Sequence, residues 1–154
     1  MDDNMNNKAF TIIELLTVIA VLIILIGIAI PRIRGMSDQA NIARAKGELQ
    51  TLQTAVESYY TYKSPRVYPP TTTTIGGSFL VTSTPAILSS TPPYDPWGSS
   101  ATTEYTYTLS ANSKYYVIGS NGPNLAQGAL AISATGVVSG KDIDDICVTN
   151  GSGC

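Results

Sequence analysis

Apolar positions are spread very unevenly along this chain. Between residues 15 and 30 there is no charged side chain, and Ile, Leu and Val dominate. As a helix, residues 10–31 would span roughly 33 Å at about 1.5 Å per residue, enough to cross a bilayer. Beyond a polar stretch at 32–38 the pattern becomes periodic. Ile42, Ala45, Leu49, Leu52, Val56 and Tyr59 recur at steps of three and four, with Arg44, Lys46, Glu48 and Glu57 between them. The spacing predicts one helix over about 11–60, apolar all round in its first half and amphipathic in its second. The first half should meet lipid or other helices, and one face of the second should meet a folded domain. The Pro31 ring would collide with the carbonyl four residues earlier, that of Gly27. Gly27 and Pro31 together weaken one turn and point to a kink or a locally unwound segment around 22–31, with a simple bend as the alternative.

Past residue 62 the texture changes. Pro65, Pro69 and Pro70, four threonines at 71–74 and Gly76–Gly77 read as a loop. Residues 79–100 mix short apolar pieces with Pro85, Pro92, Pro93 and Pro96, and read as irregular chain with room for one helical turn. Strict alternation then appears in EYTYTLS (104–110) and KYYVIGS (114–120) around Ala111-Asn112-Ser113, a hairpin signature. Two shorter strands, 129–133 and 136–139, flank Ala134-Thr135. The rest, KDIDDICVTNGSGC, reads as a polar tail. The fold class expected is α+β: a long N-terminal helix, transmembrane in its first half, packed by its second half on a small antiparallel sheet. Such a sheet needs one face covered, and the amphipathic stretch supplies the cover.

Composition narrows the function. Only 13% of the residues are charged, the net charge is −2, and no Lys/Arg cluster could follow a phosphate backbone, so nucleic acid is not expected as a main ligand. Histidine is absent. That removes the commonest general base and zinc ligand, and no nucleophile–base–orienter set can be assembled. Neither an enzyme nor an organic cofactor is expected. Cys147 and Cys154, both in the last eight residues, lack metal-site spacing and read as a disulfide formed in an oxidising compartment. Two free thiols are the alternative. Asp142, Asp144 and Asp145 offer the hard oxygens that calcium takes, with a solvated acidic tail as the alternative. Trp97 is expected to pack its loop onto the sheet rather than anchor a partner. Asn150-Gly-Ser152 matches a glycosylation acceptor. The run after the short polar segment 1–9 is too long for a signal-peptide core and no A-x-A site follows it, so a retained membrane helix fits better. One residue then stands out. Glu14 lies inside that run, where a carboxylate costs on the order of 3 kcal/mol at a bilayer centre and less near an interface.

KAFTIIELL (residues 8–16) resembles the processing site of type IV pilins and type II secretion pseudopilins. The resemblance implies that residues 1–9 are a leader, removed by a prepilin peptidase between Ala9 and Phe10, with the new amino group of Phe10 then methylated. Ala9 departs from the family, which prefers Gly there. Glu14 becomes the fifth mature residue and Pro31 the twenty-second, as in the family. The chain would divide into the leader 1–9, a transmembrane and filament-core helix 10–31, its amphipathic continuation 32–62 and a head 63–154. In a filament the Glu14 carboxylate of one subunit would neutralise the Phe10 ammonium of its neighbour; an interfacial, snorkelling Glu14 is the alternative. YDPWGSS (94–100) with EYTYT, SNGPN (120–124) and DDI (144–146) are similar to segments of the major pseudopilin, whose loops hold calcium. Carried over, Asn124, Asp144 and Asp145 would be ligands of a weak calcium site, although Asn124 and Leu125 stand where that family has Asp and Gly. The disulfide is more like that of a true pilin. Expected partners are the chain itself as a helical homopolymer, the peptidase, an inner-membrane assembly platform, minor pilins or pseudopilins, and membrane lipid before assembly. The expected location is the inner membrane, single-pass with the head in the periplasm, and then a periplasmic or extracellular filament. The reading leans to the major pseudopilin of type II secretion. The alternatives are a surface pilin for adhesion, motility or DNA uptake, and a membrane-anchored periplasmic binding domain that never polymerises.

Overall fold

The computed structural model describes residues 10–70, 75, 78–88, 92–126 and 128–154, the side chains of 31–34 and 78 apart. The leader 1–9, and Ala9 with it, lies outside the described residues, as does the Pro31 ring on which the expected kink turns. Two units are distinguished, Met1–Gln39 and Ala40–Cys154.

In the first unit the described chain is helix α1, which extends over Ile12–Tyr62 and continues into the second unit. Thr11 caps it: the Glu14 N–H donates to the Thr11 carbonyl (3.1 Å) and to its Oγ1 (3.3 Å). Thr11-x-x-Glu14 is the spacing of a capping box, and the carboxylate in the first turn complements the positive end of the helix dipole. The most apolar 18 residues of α1 have a mean hydropathy of 3.0 and none is buried within the chain. By length and composition this helix can cross a membrane.

The second unit is built on the amphipathic part of α1. Ala45, Leu49, Leu52, Ala55, Val56 and Tyr59 form its buried stripe, the row that the three–four spacing predicts. They share one core with Tyr105, Tyr107, Tyr116 and Ile118, with Ile75, Trp97 and Leu80 of the single-turn helix α2 (Ser78–Val81) closing it. The sheet pairs β1 (Thr106–Leu109), β2 (Tyr116–Ser120) and β5 (Ile146–Thr149), antiparallel in the order β1-β2-β5. β3 (Ala131–Ile132) and β4 (Val138–Ser139) form a separate hairpin. The central strand β2 is buried along its whole length. Tyr116 and Ile118 enter the main core, while Val117 packs with Ile132 and Val138 of the small hairpin. A side chain at Gly119 would strike Leu130, so that position admits the hairpin by having none. The fold is thus α+β, a long N-terminal helix with a small antiparallel sheet, as expected of a pilin-like chain.

One expectation is corrected. The polar tail contains a strand, β5, whose Val148 opposes Ile118 and whose Cys147 opposes Gly119. Ile146 and Val148 lie against the main core and Cys147 against the other face. The alternation is only three residues long, and the flanking aspartates and Asn-Gly hide it.

Candidate functional site

Three groups of polar side chains carry the functional geometry. The first is at the start of α1. Phe10 is 81% exposed, and Ile12 and Leu15 are exposed beside it. Among the described residues, none gives the Glu14 carboxylate a hydrogen bond or an ion pair; the ion pair they do contain is Arg44–Glu48, at 2.8 Å. Glu14 therefore places a carboxylate in an exposed apolar surface with no side-chain partner among the described residues.

The second group joins the SNGPN loop to the Asp-rich segment before β5. The Asn124 N–H donates to Asp144 Oδ2 (2.8 Å), and Asn124 Nδ2 donates to Asp144 Oδ1 (2.6 Å) and Asp142 Oδ2 (3.2 Å). The amide cannot be reversed, because its Oδ1 accepts the Ala126 N–H at 2.6 Å. Asn124 thus presents a donor, not a ligand oxygen, to the two carboxylates. Asp145 faces elsewhere: it is 5% exposed, its Oδ2 accepts the Asp142 N–H (2.8 Å), and its Oδ1 is buried with no partner among the described residues. Gly122 makes the close approach of the two loops feasible, since a Cβ there would collide with the Asp144 carbonyl. Among the described residues no three Asp, Glu or Cys side chains converge as a metal-holding group. With its amide hydrogens on the carboxylates and its oxygen on Ala126, Asn124 is no oxygen ligand, and this conformation does not fit calcium as it stands. Instead the amide hydrogens occupy the position where a cation's charge would act. The same tail is fastened by a disulfide between Cys147 and Cys154, with Cα atoms 5.4 Å apart.

The third group is built on glutamate–tyrosine pairs that were not singled out from the sequence. Two carboxylates on the core side of α1 are met by phenols: Tyr105 Oη donates to Glu48 Oε2 (2.6 Å) and Tyr116 Oη to Glu57 Oε1 (2.9 Å). Burial, and then the hydrogen-bonded carboxylate, pushes both phenols far above their ordinary range; burial alone leads for Tyr107. Asn150, offered by the sequence as a glycosylation acceptor, is engaged on all sides. Its Oδ1 accepts the Tyr116 N–H, and its Nδ2 donates to Tyr68 Oη and the Lys114 carbonyl. Asp95 is buried, accepting from the Trp97 N–H, Ser120 Oγ and the Asn121 N–H. It holds the Asp-Pro-Trp-Gly turn on the end of β2, with Trp97 buried in the core. A signal existed for these: a Glu on the apolar side of a helix, opposite a tyrosine-rich strand.

Two fimbrial proteins of Pseudomonas aeruginosa are each 43% identical to this chain over 51 residues, 33% of this chain and 33% of each relative. The match spans about a third of the length of these curated relatives and supports, at that coarse level, a pilin-like chain. No protein-family model matches the chain, and no solved structure does.

Proposed function

We propose that this chain is the structural, non-catalytic subunit of a type IV-class filament. It would be inserted in the inner membrane by α1, cleaved between Ala9 and Phe10, methylated on Phe10 and polymerised by a separate assembly platform. The observation that carries this reading is Glu14, a lone carboxylate in the first turn of an exposed apolar helix with no partner among the described residues of its own chain. Cleavage would create an ammonium on Phe10, and methylation keeps its charge. In a bundle of such helices each Glu14 would meet the Phe10 ammonium of a neighbour in a low-dielectric core. Removing one member of such a pair costs about 3–5 kcal/mol, because the other charge stays buried alone. The pair therefore selects axial register.

Two filaments fit this chemistry. The pseudopilus of type II secretion is supported by the Asp95-Pro-Trp-Gly98 turn and the SNGPN loop. A surface pilus is supported by the likeness to proteins named fimbrial, by the disulfide, and by a tail loop held by an amide where the pseudopilin resemblance implies calcium. The last two observations concern the head itself, and on them we favour the surface pilus. The test is to express the full chain with a prepilin peptidase and an assembly platform. The mature protein should lack residues 1–9, carry one added methyl on Phe10 and sediment as filaments. A membrane-bound chain that retains its first nine residues and never sediments would return the protein to the non-polymerising binding domain.

A further inference from the structure

Within the unit Ala40–Cys154 the charged side chains are sorted to two ends of the stretch of α1 that it contains. From Lys46 to Tyr62 that helix rises about 24 Å at about 1.5 Å per residue. At the Tyr62 end lie Lys63 and Arg66, just past the helix, and Lys114, two residues before β2. The Lys63 Nζ lies 5.1 Å from the centre of the Tyr59 ring, and Tyr68, two residues past Arg66, stacks on Tyr60 at 4.5 Å. Asn150 ties Tyr68 Oη to the Lys114 carbonyl. Tyr62 and Val67 are exposed beside these cations. The acid at this end, Glu57, is occupied by the phenols of Tyr68 and Tyr116.

At the other end Ile42 and Lys46 line a cavity of about 420 Å³ with Pro123, Ile143 and Asp144. Asp142, Asp144 and Asp145 lie there, with Asp95 and Glu104 on the same end of the sheet. Lys46 and Lys141 reduce this negative charge without cancelling it, and Arg44 is held by Glu48. Two apolar side chains project from this end: Ile143 is fully exposed, and Leu125 is 65% exposed on a backbone held at φ +59°. That left-handed conformation is uncommon for a leucine.

We propose that these two ends bind each other between successive copies of this chain, Tyr62 and Val67 with their cations seating on Leu125 and Ile143 with their carboxylates. This rests on the filament reading and deepens it by naming the surface through which heads meet. The two ends are different, so the contact is heterologous and adds copies in one direction. Exposed ion pairs contribute little and are screened by salt. The apolar side chains therefore hold the contact, and the charges select head-to-tail over head-to-head, where like ends would repel.

The test uses the full chain in its assembling membrane. Val67→Cys and Ile143→Cys in one chain should give a ladder of covalent oligomers after mild oxidation of filaments, and neither single variant should. Independently, Arg66→Glu should lower filament yield by about tenfold, the effect of a like-charge juxtaposition, and adding Asp142→Lys should restore it. Asp142 also bonds Asn124, so head folding is checked by protease resistance. Lys114→Glu, at an exposed position, replaces the swap if that variant misfolds and should lower yield as Arg66→Glu does. Wild-type chains that form no filament would sink the filament reading itself. Wild-type filaments without a ladder in the double variant, and with yield unmoved by charge reversal, would overturn this contact alone.

Discussion

Asn124 shows how much one side chain can decide. Its two amide hydrogens face Asp142 and Asp144 while its oxygen is spent on Ala126, so the loop closes around a donor. Hydrogen bonds to charged groups contribute about 1.5–3 kcal/mol. Asn124→Ala should therefore lower the stability of the head by about that much, read from denaturant midpoints of the full chain in detergent. Asn124→Asp should do more without divalent cations, because it sets a third carboxylate against two. That variant alone should then gain melting temperature in millimolar calcium over chelator, by mass action on the folded form. Wild-type protein should melt at the same midpoint in both. A calcium-dependent rise in the wild type would mean that Asn124 gives up its donors to the ion. The sequence reading grouped Asn124, Asp144 and Asp145 around one ion; the structure joins Asn124 to Asp144 through amide hydrogens and turns Asp145 to the Asp142 N–H. Which end of an amide faces a carboxylate depends on a backbone N–H two residues away, and no residue pattern records it.

Elements were legible in proportion to their length. Helix α1 was readable because its stripe repeats five times over, and each repeat confirms the phase of the last. β5 was not, because three alternating residues between aspartates and Asn-Gly carry no phase at all; its strand character comes from β2 beside it. The contrast has an energetic counterpart. Leu49 and Leu52 are fully buried, so Leu52→Ala should cost about 2–5 kcal/mol of head stability. The disulfide at the far side of β5 spans a sequence separation of only 7, and by loop-closure entropy it contributes about 2.5 kcal/mol. Cys147→Ser should lower head stability by about that amount, read from the denaturant midpoint, and leave the chain folded. A Cys147→Ser loss larger than that of Leu52→Ala would show that the tail, not the helix, organises the core. Alkylation without reduction should label neither cysteine of the wild type.

For the whole molecule, pH separates the folding of the head from assembly. Tyr105, Tyr107 and Tyr116 all hold their protons more tightly folded than unfolded, where a phenol titrates at about 10. Their contribution to stability is complete below that value and is lost as pH rises beyond it, since the unfolded chain then releases protons that the folded chain keeps. Head stability should hold at about pH 8 and fall steeply by about pH 11, with phenolate absorbance appearing only on unfolding. Phenolate signal in a still-folded head at that pH would refute the burial argument. Glu14 belongs to the other compartment of the energetics. Glu14→Gln should leave the denaturant midpoint of the head unchanged and sharply reduce sedimentable filament, and normal filament yield would make the carboxylate an interfacial one.

The core stripe of α1 also has a history in time. Leu49, Leu52, Val56 and Tyr59 are made early, and their cover on β2 cannot be completed until β5 has been synthesised. At bacterial or eukaryotic elongation speeds of about 5–20 residues per second, the interval from residue 60 to residue 149 lasts about 5–20 seconds. For that interval a nascent chain presents an oily helical face with nothing to close on. A holding chaperone that recognises this face would act on the newborn protein and lose its grip once the last strand arrives.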